Sequence, residues 1–270
     1  MRDATVLKRI FLYDDPDTPG LDIGELAGYL IARFPASEVA CRRDYITHHL
    51  ERFAEAQREA LIDELVRQLD SFEIDNLVIP EDRGKLPEEP AEDLELGTIY
   101  EATGLQAALK LLLPPEESGA SDLHLVFSDH CIADWDTDLR RARLRIASLG
   151  QPTVISTCGL IEAPAKPKMY HFLRTQMAIL GADTEEVDIT DQFSDRALGY
   201  GDPRLNEALK GYVLKAAFYR IFNEASCLMR TCRLFDARTQ EDVINAQMGR
   251  RPGLCEEHGK MLAEVGGEKE

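Results

Sequence analysis

No stretch of the 270-residue chain approaches the roughly 18 to 20 consecutive apolar residues that a membrane-spanning helix needs. The opening MRDATVLKRIFLYDDPD has neither the long apolar core nor the small-residue cleavage site of a secretory leader. The chain is therefore expected to work in the cytoplasm. Basic residues are scarce as well, 31 Lys and Arg against 49 Asp and Glu, for a formal net charge of -18. A surface of that sign repels phosphate backbones and anionic lipid, so neither nucleic acid nor a membrane is an expected partner. Several catalytic signatures are missing too. No GxSxG elbow and no SxxK occur, which leaves a serine-type hydrolase without support. TPGLDIG lacks the spacing and the lysine of a phosphate-binding loop, so Asp14 and Asp15 at the end of the first apolar run are read as turn formers.

What is present suits a folded α/β or α+β domain, since 44% hydrophobic content can bury a sizeable core. TVLKRIFLYDD reads as a strand running into a turn, and LDIGELAGYLIARF carries apolar residues at the spacing of one helical face. EVACRR is a second strand, and DYITHHLERFAEAQREALIDELVRQLDSF a long amphipathic helix. The acidic, proline-containing stretch 73–97 is an exposed connection, as is 182–203. IYEATGLQAALKLLL, KPKMYHFLRTQMAILG and LNEALKGYVLKAAFYRIF read as helices, and DLHLVFSD, ARLRIASLG and PTVISTC as strands. The expected division is a mixed-sheet core over residues 1–224 and a small module over 225–270.

That module holds half of the six cysteines, in the pattern Cys227-x4-Cys232-x22-Cys255-x2-His258. Thiols in a reducing compartment serve as metal ligands more readily than as disulfides. Two close pairs on separate turns are the usual supply for a tetrahedral zinc site, because each short loop can aim two side chains at one ion. Four protein ligands leave no open position for water or substrate. One structural zinc is therefore expected, held by Cys227, Cys232, Cys255 and His258, with a helix in RLFDARTQEDVINAQM between the pairs. Cys41, Cys131 and Cys158, isolated among apolar neighbours, are expected to be small buried hydrophobes.

The module resembles that of the archaemetzincins, in which a helix carrying HExxHxxGxxH runs at once into a Cys-x4-Cys pair followed by a later Cys-x2-Cys pair. Here the helix GYVLKAAFYRIFNEAS leads into Cys227 and Cys232, and His258 stands for the last cysteine. The segments STCGLIEAPAKP (156–167) and CRLFDARTQE (232–241) also resemble recurring segments of an archaeal family regarded as metallopeptidases. The resemblance implies a metzincin-like mixed sheet with packed helices. Laid back from Cys227, however, the motif falls on Ala216 and Ala217 where His and Glu belong, on Arg220 and Ser226 at the other histidines, and on Asn223 at the glycine. With neither imidazoles nor a carboxylate there, the resemblance implies shared fold more than proteolysis, and a peptide- or protein-binding role.

An alternative places a working hydrolase around 122–138. SDHCIADWDTD concentrates Asp129, His130, Asp134, Asp136 and Asp138 after a strand, where α/β proteins often hold ligands. Leu139 and Arg145 stand where a calcium loop begun at Asp134 needs glycine and glutamate, so a polar loop is expected. His124 is expected to make a surface hydrogen bond with Asp122, and the adjacent His48 and His49 to lie on a solvated helix face.

Overall fold

The computed structural model describes residues 6–72, 97–138, 140–179 and 191–266. The expected connection 73–97 lies outside the described residues except for Gly97, and the expected loop 182–203 lies outside them up to residue 190.

Strands β1 (Arg9–Tyr13), β2 (Glu38–Arg42), β5 (Asp122–Ser128), β8 (Ala147–Ser148) and β9 (Thr153–Ser156) form a sheet in the order β2-β1-β5-β9-β8. The first four are parallel and β8 closes one edge antiparallel. Near-continuous apolar runs such as IFLY and LHLVF make sense here, because a parallel sheet is covered on both faces. Alternation sends Ile10, Leu12, Leu123, Leu125, Phe127 and Ile155 toward helices α1 (Ile23–Arg33) and α7 (Leu205–Phe222). Phe11, Tyr13, Val126 and Val154 face α2 (Tyr45–Leu50), α3 (Glu55–Gln68) and α4 (Ala102–Leu112). The core is thus split by the central sheet into two layers of apolar packing.

A second, smaller sheet has the order β3-β4-β6-β7, from β3 (Ser71–Phe72), β4 (Ile99–Glu101), β6 (Ile132–Asp136) and β7 (Arg141–Arg145). SDHCIADWDTD is therefore not the polar loop expected of it. Ile132 and Ala133 bury one end of β6, and Asp134 and Asp136 face arginines across the ladder. The single helix expected over DYITHHLERFAEAQREALIDELVRQLDSF is two, with α3 restarted at Ala54, whose N–H donates to the Gln57 side chain at 3.2 Å. The break lets α2 bury Tyr45, His49 and Leu50.

Helix α5 (Thr157–Glu162) leaves β9 directly, capped by Ser156, whose Oγ accepts from Gly159 N at 2.7 Å. A Cβ built on Gly159 would lie 2.1 Å from the main-chain oxygen of Arg145. Neither backbone can yield cheaply, so Gly159→Ala is expected to cost about 2 kcal/mol or more of stability, read as a lowered denaturant midpoint.

The same corner corrects the expectation for two cysteines. Cys131 and Cys158 are buried, as anticipated, but they form a disulfide. Parallel pairing sets Ser128 opposite Ser156 at the carboxyl ends of β5 and β9, so the segments that follow run side by side. Cys41, expected to be buried, is exposed at the end of β2. Among the described residues no helix is long and apolar enough to cross a membrane.

Candidate metal centre

Helix α7 stops at Asn223, whose φ of 56° turns the chain left-handed. The cysteine segment begins at once. Cys227 N donates to Leu234 O and Phe235 N to Cys232 O, each at 2.8 Å, which closes 227–235 into a compact knuckle. An isolated bridge pairs Cys232 with Gly253, bringing the third ligand's turn alongside the first two. Cys255 is the N-cap of α9 (Glu256–Glu264) and His258 lies in its first turn, so the two-residue spacing puts both on one side of the helix start. Helix α8 (Gln240–Met248), capped by Thr239 Oγ1 accepting from Asp242 N at 3.1 Å, spans the distance between the pairs.

The ligand atoms of Cys227, Cys232, Cys255 and His258 all lie within 4.8 Å of one another, and among the described residues this is the one such cluster of three or more His, Cys, Asp or Glu groups. Cys227 and Cys255 sulfurs are 3.9 Å apart. Zinc–sulfur bonds of about 2.3 Å in a tetrahedron demand a sulfur–sulfur edge of about 3.8 Å. His258 Nδ1 is 3.0 Å from Cys255 Sγ and 4.0 Å from Cys232 Sγ, so Nδ1 faces the ligand centre. Its other nitrogen, Nε2, lies 3.3 Å from Glu224 Oε1, the carboxylate–imidazole pairing that fixes a metal-binding tautomer. Main-chain N–H groups of Met229 and Cys255 point at the sulfurs of Cys227 and Cys232, at 3.3 and 3.4 Å, and would stabilise thiolates. Burial pushes the Cys232 thiol up to about 12. Burial acts on Cys255 too, but the His258 N–H and ring outweigh it and bring that thiol down to about 7. A thiol held protonated by burial is stable as a thiolate only beside a cation, so the donor set fits a zinc ion with all four positions filled by protein.

The module is fastened to the rest of the fold. Cys227, Cys232, Leu234, Val243 and Leu262 belong to the same core cluster as α1, α7 and the central sheet. Arg233 is buried between Glu207 of α7 and Gln247 of α8, whose side-chain amide donates back to Arg233 O at 2.9 Å. Lys215, in the middle of α7, donates to Phe235 O at 2.7 Å.

The residues that align with the HExxHxxGxxH pattern do other work. Ala216 and Ala217 are packed in the core at 1% and 0% exposure. Arg220 donates through Nε to Asp122 O at 3.0 Å and through a terminal nitrogen to Gly119 O at 2.5 Å. Asn223 holds a left-handed turn of the kind that favours glycine.

Among the described residues the acidic and histidine side chains of 122–138 form no cluster of three or more metal-ligating groups. Asp122 is paired with Arg9 at 2.8 Å, and Asp134 with Arg145 at 2.7 Å. His130 lies near Asp129 at 3.7 Å, half exposed. His124 makes no surface bond with Asp122. It is fully buried, with Nε2 against Glu117 O at 2.8 Å and Nδ1 against Tyr13 Oη at 2.9 Å. His49, also buried rather than solvated, reaches the same Tyr13 oxygen at 3.0 Å, and Arg42 reaches it at 2.8 Å. Burial, with Arg52 and then other cations adding to it, lowers His49 to about 3, and burial lowers His124 to about 4. Arg42 in turn grips Glu117 through two bonds of 2.6 and 2.7 Å. Two groups around the metal ligands were not foreseen from the sequence: Arg233 and Lys215. Only Lys215 left a signal, a lone charge inside the apolar run YVLKAAF.

A mixed α/β protein with a Cys3His cluster able to hold a metal ion is what these features define, and the comparison with protein families is consistent with a metal-dependent class. Residues 6–265 match the family described as "Probable metallopeptidase family (DUF6775)". The chain belongs to that family. No curated protein and no solved structure matches it.

Proposed function

We propose that this chain is a member of its metallopeptidase family in which one zinc, on Cys227, Cys232, Cys255 and His258, is structural, no peptidase centre is present, and the working activity is binding of a peptide or protein partner in the cytoplasm. The observation that carries the reading is helix α7. It ends in the left-handed Asn223 and runs into Cys227 in the order of the archaemetzincin motif, yet offers Ala216, Ala217, Arg220 and Ser226 where ligands and base belong. A guanidinium anchored on two carbonyls at a ligand position repels a second cation. The zinc, when bound, supplies cross-linking rather than water activation, because the protein fills its coordination sphere. The surrounding residues do the rest: Glu224 orients His258, and the knuckle N–H groups hold the thiolates.

The test is elemental analysis of protein purified without added metal, together with a peptide-pool assay. About one zinc per chain is expected, with peptides retained and recovered uncut. Two metals per chain, or hydrolysis abolished by chelator and restored by zinc, would overturn the reading.

A further inference from the structure

Lys215 is difficult to explain as packing alone. It stands in the centre of α7 between Leu214 and Ala216, and only 9% of its surface is exposed. Burying an ammonium without a partner is expensive. Yet among the described residues no carboxylate lies within ion-pair distance, and its hydrogen bond goes to a main-chain carbonyl, Phe235 O, at 2.7 Å. The ammonium also lies 5.0 Å from the ring centre of Tyr212. The negative groups that act on it are Asp236, Cys232 and Cys227. The Asp236 side chain is 58% exposed and screened by water. Cys232 and Cys227 are buried, at 0% and 7%.

Phe235 is itself part of the knuckle. It bridges to Cys227, and its N–H bonds to Cys232 O, so the lysine touches the loop that presents both thiolates. Three thiolates and a neutral imidazole around a divalent ion sum to a charge of about -1. That charge sits in the main core cluster, where an uncompensated ion is strongly unfavourable. Arg233, the other buried cation of the module, is occupied by Glu207.

We infer that Lys215 is the built-in counter-cation of the zinc site, a positioning residue that sets metal affinity by charge without ligating the ion. The inference rests on the structural-zinc reading above.

Zinc affinity of the full chain, measured by competition with a chromophoric chelator, tests it. Lys215→Met should weaken zinc at least about tenfold, the scale on which groups just outside a metal's ligands act. Lys215→Gln, which retains a donor for Phe235 O, should weaken it similarly, and Lys215→Arg should stay nearer the parent than either. The decisive arm changes the charge of the ligand set. In Cys227→His, a neutral site, the Lys215→Met penalty should shrink, and in His258→Cys, a doubly negative one, it should grow. A merely structural lysine gives the same penalty in all three backgrounds. That result, or a Gln variant binding zinc as tightly as the parent, overturns the inference. A parent chain that binds no zinc fails earlier and overturns the clasp itself.

Discussion

Cys232→Ala should strip the protein of zinc and lower its melting temperature by on the order of 10 °C. Cys232 is the most buried of the thiols, and its sulfur is approached by Cys255 N, so its loss removes a ligand and a contact between the two turns at once. Metal binding by a closed site is folding free energy, because the unfolded chain does not preassemble the ligands. Several kcal/mol lost from a chain of this size corresponds to a shift of about that many degrees. The fall should be seen by calorimetry as one displaced transition, since the cysteine knuckle shares its core with α7 and the sheet. Cys41→Ala, at an exposed thiol outside the cluster, is the control and should change neither zinc content nor melting. A Cys232→Ala protein with full zinc and an unchanged transition would remove the metal centre from the account.

Acid should begin to destabilise the protein at a pH above the range in which carboxylates titrate, through the Tyr13 network. His124 Nε2 faces Glu117 O, so it carries the proton, and Nδ1 accepts from the Tyr13 hydroxyl. Tyr13 Oη then accepts from His49 Nε2 and from Arg42. Both imidazoles are thereby held neutral, with burial the leading cause and Arg52, for His49, the next. An unfolded histidine titrates near 6.5, whereas the folded ones wait until about 4 and about 3. Between those values the unfolded chain binds protons that the folded chain cannot, so stability is full above pH ~6.5 and falls as pH drops toward ~4. For His124 alone the shift is on the order of 3 kcal/mol. Denaturant midpoints measured from pH 7 to 4 should fall steeply in the parent and less steeply in His124→Gln, which begins less stable. Zinc release at low pH is common to both proteins, so it cancels in the comparison. Parallel slopes would show that the network does not set acid stability.

These two predictions differ in how far the sequence announced them. The clustering of Cys227, Cys232, Cys255 and His258 was legible because both pairs are local: a knuckle that presents two cysteines five positions apart, and a first helical turn, are short enough for spacing alone to aim the side chains. The apolar runs of β1, β5 and β9 and the helix α7 were legible for a similar reason, as burial on all sides leaves an unbroken hydrophobic signal. The Tyr13 network was hidden because its members, at 13, 42, 49, 117 and 124, meet only after β1 has been placed between β2 and β5. The Cys131–Cys158 pairing depends likewise on β5 and β9 being neighbours. SDHCIADWDTD misled through its aspartates, of which Asp134 and Asp136 become ladder partners for arginines once β7 folds back on β6. The break between α2 and α3 has only a main-chain turn and Gln57 to mark it, against an amphipathic pattern that continues across it.

The packing of α7 also bears on whether the side chains of the HExxHxxGxxH pattern could be accommodated in this helix. The left-handed turn at Asn223 is already made, so the backbone asks for no rebuilding. The obstacle is volume. Ala216 and Ala217 touch neighbours on every side, and an imidazole or a carboxylate at either would need room that the core does not hold. Overfilling such a site costs about 1 to 3 kcal/mol for each enlarged residue, before any metal is bound. Arg220 would in addition surrender its grip on the loop before β5. Introducing those side chains one at a time is thus uphill at each step, and accommodating them requires compensating cavities elsewhere in the core. Small residues in the middle of one helix thus act as a steric lock: the close core around Ala216 and Ala217, rather than the backbone turn at Asn223, resists any larger side chain there.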